Sequence, residues 1–247
     1  MEKNTIKKEE VISDQIIIEE EKSEALMHKD NSLKRLDTSF LKHIELQEYK
    51  KSNLLAYWIK DFAQYHDEEK TFSPASLKHF KRGDVVKVNL GFNIGKELGG
   101  LHYCVVINSN DNANSGTLNV IPLSSIKENK IYNSTTCVDL GDELYSLLIK
   151  KYNAQMSITQ SEFNNLQNIE NMSTDEVLKL SKKINYLKKL QAELLKMKHG
   201  SIAYIHQITT ISKQRIFKTP ILSGIKISCG SLDKLDKKII ELFTKKN

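Results

Sequence analysis

Asp84-Val-Val-Lys-Val-Asn-Leu90, His102-Tyr-Cys-Val-Val-Ile107 and Thr117-Leu-Asn-Val-Ile121 decide the fold. The first alternates apolar and polar residues, as a half-buried strand does, and the second is an apolar run suited to a central strand. The third is closed by Pro122. A Gly-bearing stretch (Gly91, Gly95, Gly99, Gly100) joins the first two, and Asn108–Gly116, dense in Asn, Asp, Ser and Gly, joins the next pair. Three strands with short turns predict a small antiparallel sheet or barrel.

Outward from this block the period changes. Residues 32–67 place Leu33, Leu36, Phe40, Leu41, Ile44, Leu54, Tyr57, Trp58, Ile59, Phe62 and Tyr65 at spacings near three and four. That is the stripe of one long amphipathic helix or two shorter ones. Thr71-Phe-Ser-Pro74 ends it. Residues 1–30 mix charge blocks with short apolar patches and predict disorder or a frayed helix. On the C-terminal side, 126–148 is irregular, with a short strand expected at Thr136–Leu140. Ser173-Thr-Asp-Glu176 has the form of a capping box, and Val177, Leu180, Ile184, Leu187, Leu190 and Leu194 then form one apolar stripe. The helix so predicted carries seven lysines against three acids, mostly off the stripe, and reads as a cover for one sheet face. Strands are expected at Ser201–His206, Gln207–Ile211 and Ile225–Ser228, with a break at Thr219-Pro220. Leu232, Leu235, Ile239, Leu242 and Phe243 mark a C-terminal helix.

Composition bounds the function. The chain has 247 residues, 28% charged and 39% hydrophobic, with ten Gly and three Pro, which excludes collagen, low-complexity linkers and disulfide-dense scaffolds. No apolar run approaches the roughly 18–20 residues that span a bilayer. Met1–Glu10 lacks the apolar core of a signal peptide, so a cytoplasmic protein is expected. Cys104, Cys137 and Cys229 are odd in number and far apart, which suits a reducing compartment. Residues 1–30 hold nine acids and five lysines, a net of −4, which leaves +10 on residues 31–247 for the chain's total of +6. A basic body of that size favours polyanions, unless the lysines reflect a proteome-wide bias. The chain has no G-x-x-x-x-G-K-[ST], HExxH, CxxC or G-x-S-x-G, which disfavours nucleotidases, metallohydrolases and serine hydrolases, and no metal or cofactor is expected.

The order of the remaining pieces is informative. Arg82-Gly-Asp84 opens a strand, Glu97-Leu-Gly-Gly100 precedes His102, and Val120-Ile-Pro-Leu-Ser-Ser125 closes the third strand. His206-Gln-Ile-Thr-Thr-Ile-Ser-Lys-Gln-Arg-Ile216 comes late. Together these resemble the MazF/PemK family of toxin ribonucleases from bacterial toxin–antitoxin systems. That family shows an RGDI-like first strand, a GG-x-RP turn, a VxPIT-like third strand and a late QIRTID segment followed by Arg. The resemblance covers about 80–126 and 200–244.

It implies an α+β protein built on a small SH3-like antiparallel β-barrel with a C-terminal helix, and a homodimer. It further implies metal-independent cleavage of single-stranded RNA and a cognate antitoxin, with no membrane partner. Residues 1–31 would be an acidic arm, 32–78 a helical extension, and 79–247 the barrel domain with a helical insertion at about 127–199. The family's catalytic Arg falls on His102, and its catalytic Thr on Ser124. Ser keeps the hydroxyl, whereas His loses a permanent charge and a bidentate fork. The Pro after that Arg is replaced by Tyr103.

Metal-free RNA cleavage needs a base for the 2′-hydroxyl proton, an acid for the leaving 5′-oxygen and donors for the phosphoryl oxygens. Histidine is suited to proton transfer near neutral pH. His102 is therefore the candidate general acid or base, with Ser124 on the scissile phosphate. Arg82, Lys87, Lys96 and Ser125 are candidate substrate-binding residues. His102 as a turn histidine bonded to a backbone carbonyl is the plainer alternative; Arg215 reads as a surface ion-pair residue, and His79 and His206 as structural. Three rival functions stay open. The first is a barrel without catalysis that binds nucleic acid or protein. The second treats residues 1–67 as a built-in inhibitor or oligomerisation element, and the third is a toxin directed at DNA gyrase.

Overall fold

The structure, a computed structural model, describes residues 2–167, 173–197, 200–217 and 220–244. The chain forms two compact units, 1–60 and 61–247. The first holds helix α1 (Glu2–Glu45) and the start of α2 (Tyr49–Glu68). The helical stripe is thus divided in two, and the break is local chemistry. Gln47 takes a left-handed φ of 57°, the Glu48 amide donates to the His43 carbonyl, and the Glu48 carboxylate lies 2.6 Å from His43 Nδ1. Helix α1 takes in the acidic N-terminal segment from Glu2 and continues to Glu45.

The second unit is a six-stranded, wholly antiparallel sheet with helices. Its strands are β1 (Val85–Asn89), β2 (Leu101–Val106), β3 (Thr117–Ser125), β4 (Cys137–Asp139), β5 (Ser201–Tyr204) and β6 (Thr209–Ser212). They run in the order β1-β2-β3-β5-β4, with β6 also on β3. The sheet is not closed as a continuous ladder. The outer edge of β1 meets later chain only at single bridges, Val88 with Ile216 and Asp84 with Lys226. The Ile225–Ser228 segment, expected as a strand, contributes just that contact. The Val85 amide donates to the Ile225 carbonyl and the Ile227 amide to that of Gly83.

Strand β3 does not stop at Pro122 but continues to Ser125, a correction with a simple cause. The Ile107 amide donates to the Asn119 carbonyl, so odd-numbered residues of β3 face β2 and the nitrogen of Pro122 faces the other way. On that side pairing with β6 ends at Val120 and pairing with β5 begins at Leu123. No ladder bond is asked of the proline there.

Both sheet faces bury apolar side chains, sorted by the pleat. Val85, Val105, Ile121, Leu123, Val138 and Ala203 face the larger core. It is completed by Leu144 and Leu148 of α3 (Glu143–Gln167), Leu190 of α4 (Thr174–Lys196) and Leu235 of α5 (Cys229–Phe243). Val86, Val88, Leu90, Cys104, Val106, Leu118, Val120 and Ile211 line the opposite face with Phe80. The capping box is present: Ser173 accepts from the Glu176 amide, and the Glu176 carboxylate accepts from the Ser173 amide at 3.0 Å. Helix α3, absent from the sequence reading of 126–148, starts at Glu143. Its carboxylate accepts from the Ser228 amide and the Ser231 hydroxyl, tying α3 to the start of α5. No helix among the described residues is long and apolar enough to cross a membrane. Thr219, half of the expected break, lies outside the described residues.

Candidate active site

The β2–β3 pairing runs Val106 with Val120, Val105 with Ile121 and Cys104 with Pro122. Continued by two residues, the same register sets His102 opposite Ser124 on the sheet face turned away from the larger core. Sequence reasoning paired these residues by motif, and the ladder brings them together. Both are half-buried. His102 Nδ1 lies 2.8 Å from the Leu123 carbonyl oxygen. A carbonyl only accepts, so Nδ1 carries the hydrogen and donates it. In the neutral ring Nε2 then holds the lone pair, which fixes both tautomer and orientation. This is the carbonyl-bonded histidine of the plainer alternative, and it is also how a proton-transfer group is held.

The turn before His102 is shaped by its glycines. A Cβ at Gly99 would come within 2.7 Å of the Gly91 carbonyl oxygen, and Gly100 has a φ of +83°. The Leu90 amide closes the base of the loop by donating to the Gly100 carbonyl. Gln207, which the sequence reading did not single out, clamps the loop from outside. Its side chain accepts from the Leu98 amide at 3.1 Å and donates to the Lys96 carbonyl at 3.2 Å. Its place in the late motif was the available signal.

The other expected site residues scatter. Ser125, next to Ser124, is exposed at the end of β3, and Lys96 is exposed on the glycine loop. Arg82 lies at the opposite end of the β1–β2 pair and donates to the Ile107 carbonyl and to Asp236 of α5. Ile107 is five residues along from His102, on the order of 16 Å at strand rise, so Arg82 does not join the pair. Lys87 projects from the core face, where Nζ meets Glu193 of α4 at 2.8 Å and lies over the Tyr103 and Phe217 rings. Tyr103, in place of the family's proline, donates its hydroxyl to the same carboxylate. Burial raises the Glu193 carboxyl, but the hydrogen bonds from Lys87 and Tyr103 outweigh it and hold it below the usual range. Burial and that carboxylate push the Tyr103 hydroxyl far up.

Arg215 is half-buried, not a surface residue, and donates through Nε to the Asn89 carbonyl at 2.8 Å. It lies at the same end of β1 as His102, one residue from the Val88–Ile216 bridge. His206 is exposed, with Nδ1 3.2 Å from the Thr136 carbonyl. All three cysteines are free, Cys104 and Cys137 buried and Cys229 exposed; burial drives the Cys104 thiol well above its ordinary value. Among the described residues no three His, Cys, Asp or Glu gather to hold a metal ion.

Residues 81–197 match the family model of PemK-like, MazF-like toxins of type II toxin–antitoxin systems. The match holds His102 and Ser124 and shows the resemblance read from the motifs. It runs through most of the segment at about 127–199 that the sequence reading set apart as an insertion, and it stops before β5 and β6. No curated protein sequence matches the chain.

Proposed function

We propose that this PemK-like, MazF-like segment makes the chain a toxin-type endoribonuclease that cleaves single-stranded RNA without metal. In this reading His102 Nε2 takes the proton of the 2′-hydroxyl, whose oxygen attacks the adjacent phosphorus. The phosphorus–O5′ bond breaks, leaving a 2′,3′-cyclic phosphate and a 5′-hydroxyl that draws its proton from water. The Ser124 hydroxyl donates to a phosphoryl oxygen as charge builds there. Ser125 and Lys96, both exposed at this end of the sheet, meet the strand on either side. A cognate antitoxin holds the activity in check in the cytoplasm, and the barrel is SH3-like and works as a homodimer. The observation that carries the reading is the placement of His102, its Nδ1 committed to a carbonyl, across from Ser124.

The test is purified full-length protein with a long single-stranded RNA in EDTA, His102→Ala alongside, followed by end-mapping. Discrete cuts with cyclic-phosphate ends, lost in the variant, are expected. No cuts by the wild type, or full cutting by His102→Ala, would overturn the assignment.

One observation favours a second reading, a barrel that binds RNA or protein without cutting. Both Arg82 and Lys87 are engaged away from His102, so neither supplies the charge that the arginine-to-histidine change removes. Tight binding with no cleavage at any pH is the outcome that would select it.

A further inference from the structure

The end of β3 beyond Ser124 carries a cluster that the cleavage scheme does not use. Residues 126–136 fold back as an ordered turn. Asn133 caps it, its side chain accepting from the Thr135 amide at 3.0 Å and its carbonyl from the Cys137 amide at 2.9 Å. The Tyr132 hydroxyl accepts from the Lys127 amide at 2.9 Å and donates to the Ser125 carbonyl at 3.3 Å, which pins its ring beside the strand end. Tyr204 of β5 meets Tyr132 edge-on at 6.4 Å between centroids, and the His206 ring is tilted against Tyr204 at 5.8 Å. Lys130 Nζ stands 5.0 Å over the Tyr132 ring and 5.8 Å over that of Tyr204, and donates to the Tyr204 hydroxyl at 3.3 Å. Both tyrosines are half-buried, while Lys127, Lys130 and His206 are exposed and Ile131 is 97% exposed.

The cluster shares a face with the candidate catalytic pair. Ser124 pairs with Ile202, so Tyr204, two residues on, points to the side of the sheet that carries Ser124 and His102. Half-buried rings at the surface with an exposed ammonium group beside them are a combination that holds unpaired bases, because every base presents a π-face and every phosphate a charge. We infer that Tyr132, Tyr204 and His206, with Lys127 and Lys130, form a stacking subsite for the bases of a single strand beside the phosphate held at His102 and Ser124. The inference deepens the RNA-cleaving reading and takes its choice of ligand from it.

The experiment measures binding of full-length protein to a short fluorescein-labelled 2′-O-methyl single strand, which lacks the attacking hydroxyl. The same measurement is made with a strand carrying abasic sites and with a duplex of the same sequence. Tyr204→Ala should weaken binding to the intact single strand roughly tenfold, within the range for loss of one stacked base. It should leave the weaker binding to abasic strand and duplex unchanged. Tyr204→Phe and Tyr132→Phe keep the rings, drop the hydroxyl clamps and should bind as the wild type does. If Tyr204→Ala disturbs the turn, which far-UV circular dichroism would show, His206→Ala carries the test: it removes an exposed ring of the cluster and should weaken binding to the intact single strand alone, and unchanged binding overturns the subsite.

Equal affinity of folded Tyr204→Ala and wild type overturns the subsite. So does an equal loss on the abasic strand, which would mark a merely structural or protein-facing cluster, and so does a wild type that binds no single strand. Cleavage of unmodified RNA, followed in parallel, separates this proposal from the one it rests on. Tyr204-dependent binding without cutting keeps the subsite and ends the nuclease reading. Cutting with Tyr204-independent binding does the reverse.

Discussion

Lys87→Met is the sharpest test of whether this lysine serves the substrate or the scaffold. Its ammonium sits 2.8 Å from Glu193, with the two side chains 14% and 16% exposed, on the sheet face away from His102. Removing one member of a fully buried pair costs about 3–5 kcal/mol, because the other charge is left uncompensated. Here the loss is smaller, since the Tyr103 hydroxyl still donates to Glu193 and Lys196 stands 3.6 Å from the same carboxylate. About 2 kcal/mol is a fair value after that discount. For a unit of this size that corresponds to a melting-temperature drop of roughly 4–8 °C.

Lys87→Met with Glu193→Leu, which replaces the pair by apolar groups, should recover most of the loss. Thermal unfolding followed by circular dichroism, with RNA cleavage measured well below the melting point, decides the matter. Cleavage per folded molecule should stay within about twofold of wild type, since roughly 0.4 kcal/mol of barrier corresponds to that factor. A Lys87→Met protein as stable as wild type but unable to cut would refute the argument and return Lys87 to the substrate.

Lys213→Met removes the partner of Asp111 from a pair 2.6 Å apart with both side chains 1% exposed; unfolding measurements should show a loss of about 3–5 kcal/mol. Burial raises the Asp111 carboxyl, but hydrogen bonds from Lys213 and the Phe80 amide outweigh it, and Glu193 behaves likewise. A carboxyl depressed in the folded state stabilises above its unfolded value of about 4, so wild-type stability should fall as pH drops below about 4–5 and the Lys213→Met slope there should flatten. Gly99→Ala forces a Cβ against the Gly91 carbonyl and should cost about 1–3 kcal/mol in unfolding experiments, with a larger proportional loss of cleavage because the turn aims His102. In salt titrations of RNA binding, Lys96→Ala should lower the slope by about 1, whereas Arg82→Ala should leave it unchanged.

The sheet and both C-terminal helices were legible because their signals are local. A period-two run marked β1 and an apolar run β2, Ser173 and Glu176 marked the start of α4, and Leu232, Leu235 and Ile239 marked α5. Helix α3 was not, although Leu144 and Leu148 are buried at helical spacing. Its second half exposes Met156, Ile158 and Phe163, which blurs the stripe. The length of β3 was hidden because whether Pro122 ends a strand depends on which neighbour its nitrogen faces, and that is a property of the assembled sheet. The same holds for the site. Motif order placed His102 and Ser124, but a positive charge in the sequence says nothing of its face. Lys87 is spent on Glu193 and Arg82 on Asp236, both more than 100 residues away along the chain.

The pairing of His102 with Ser124 is therefore a matter of register before it is one of chemistry. Side chains alternate across a strand, so a slip of one residue between β2 and β3 would put the two on opposite faces and bury one in the wrong core. Such a slip would also turn one strand over, driving either Val105 or Ile121 out of the larger core and either Cys104 or Val120 out of the smaller, all of them fully buried. Two apolar faces thus hold one register from both sides. Along β2 and β3 the apolar lining of the second face gives way at His102 and Ser124, while Leu90 and Ile202 beside them stay buried. His102 at that margin keeps one ring nitrogen tied to the Leu123 carbonyl, which in the proposed scheme leaves the other for the proton of an arriving strand.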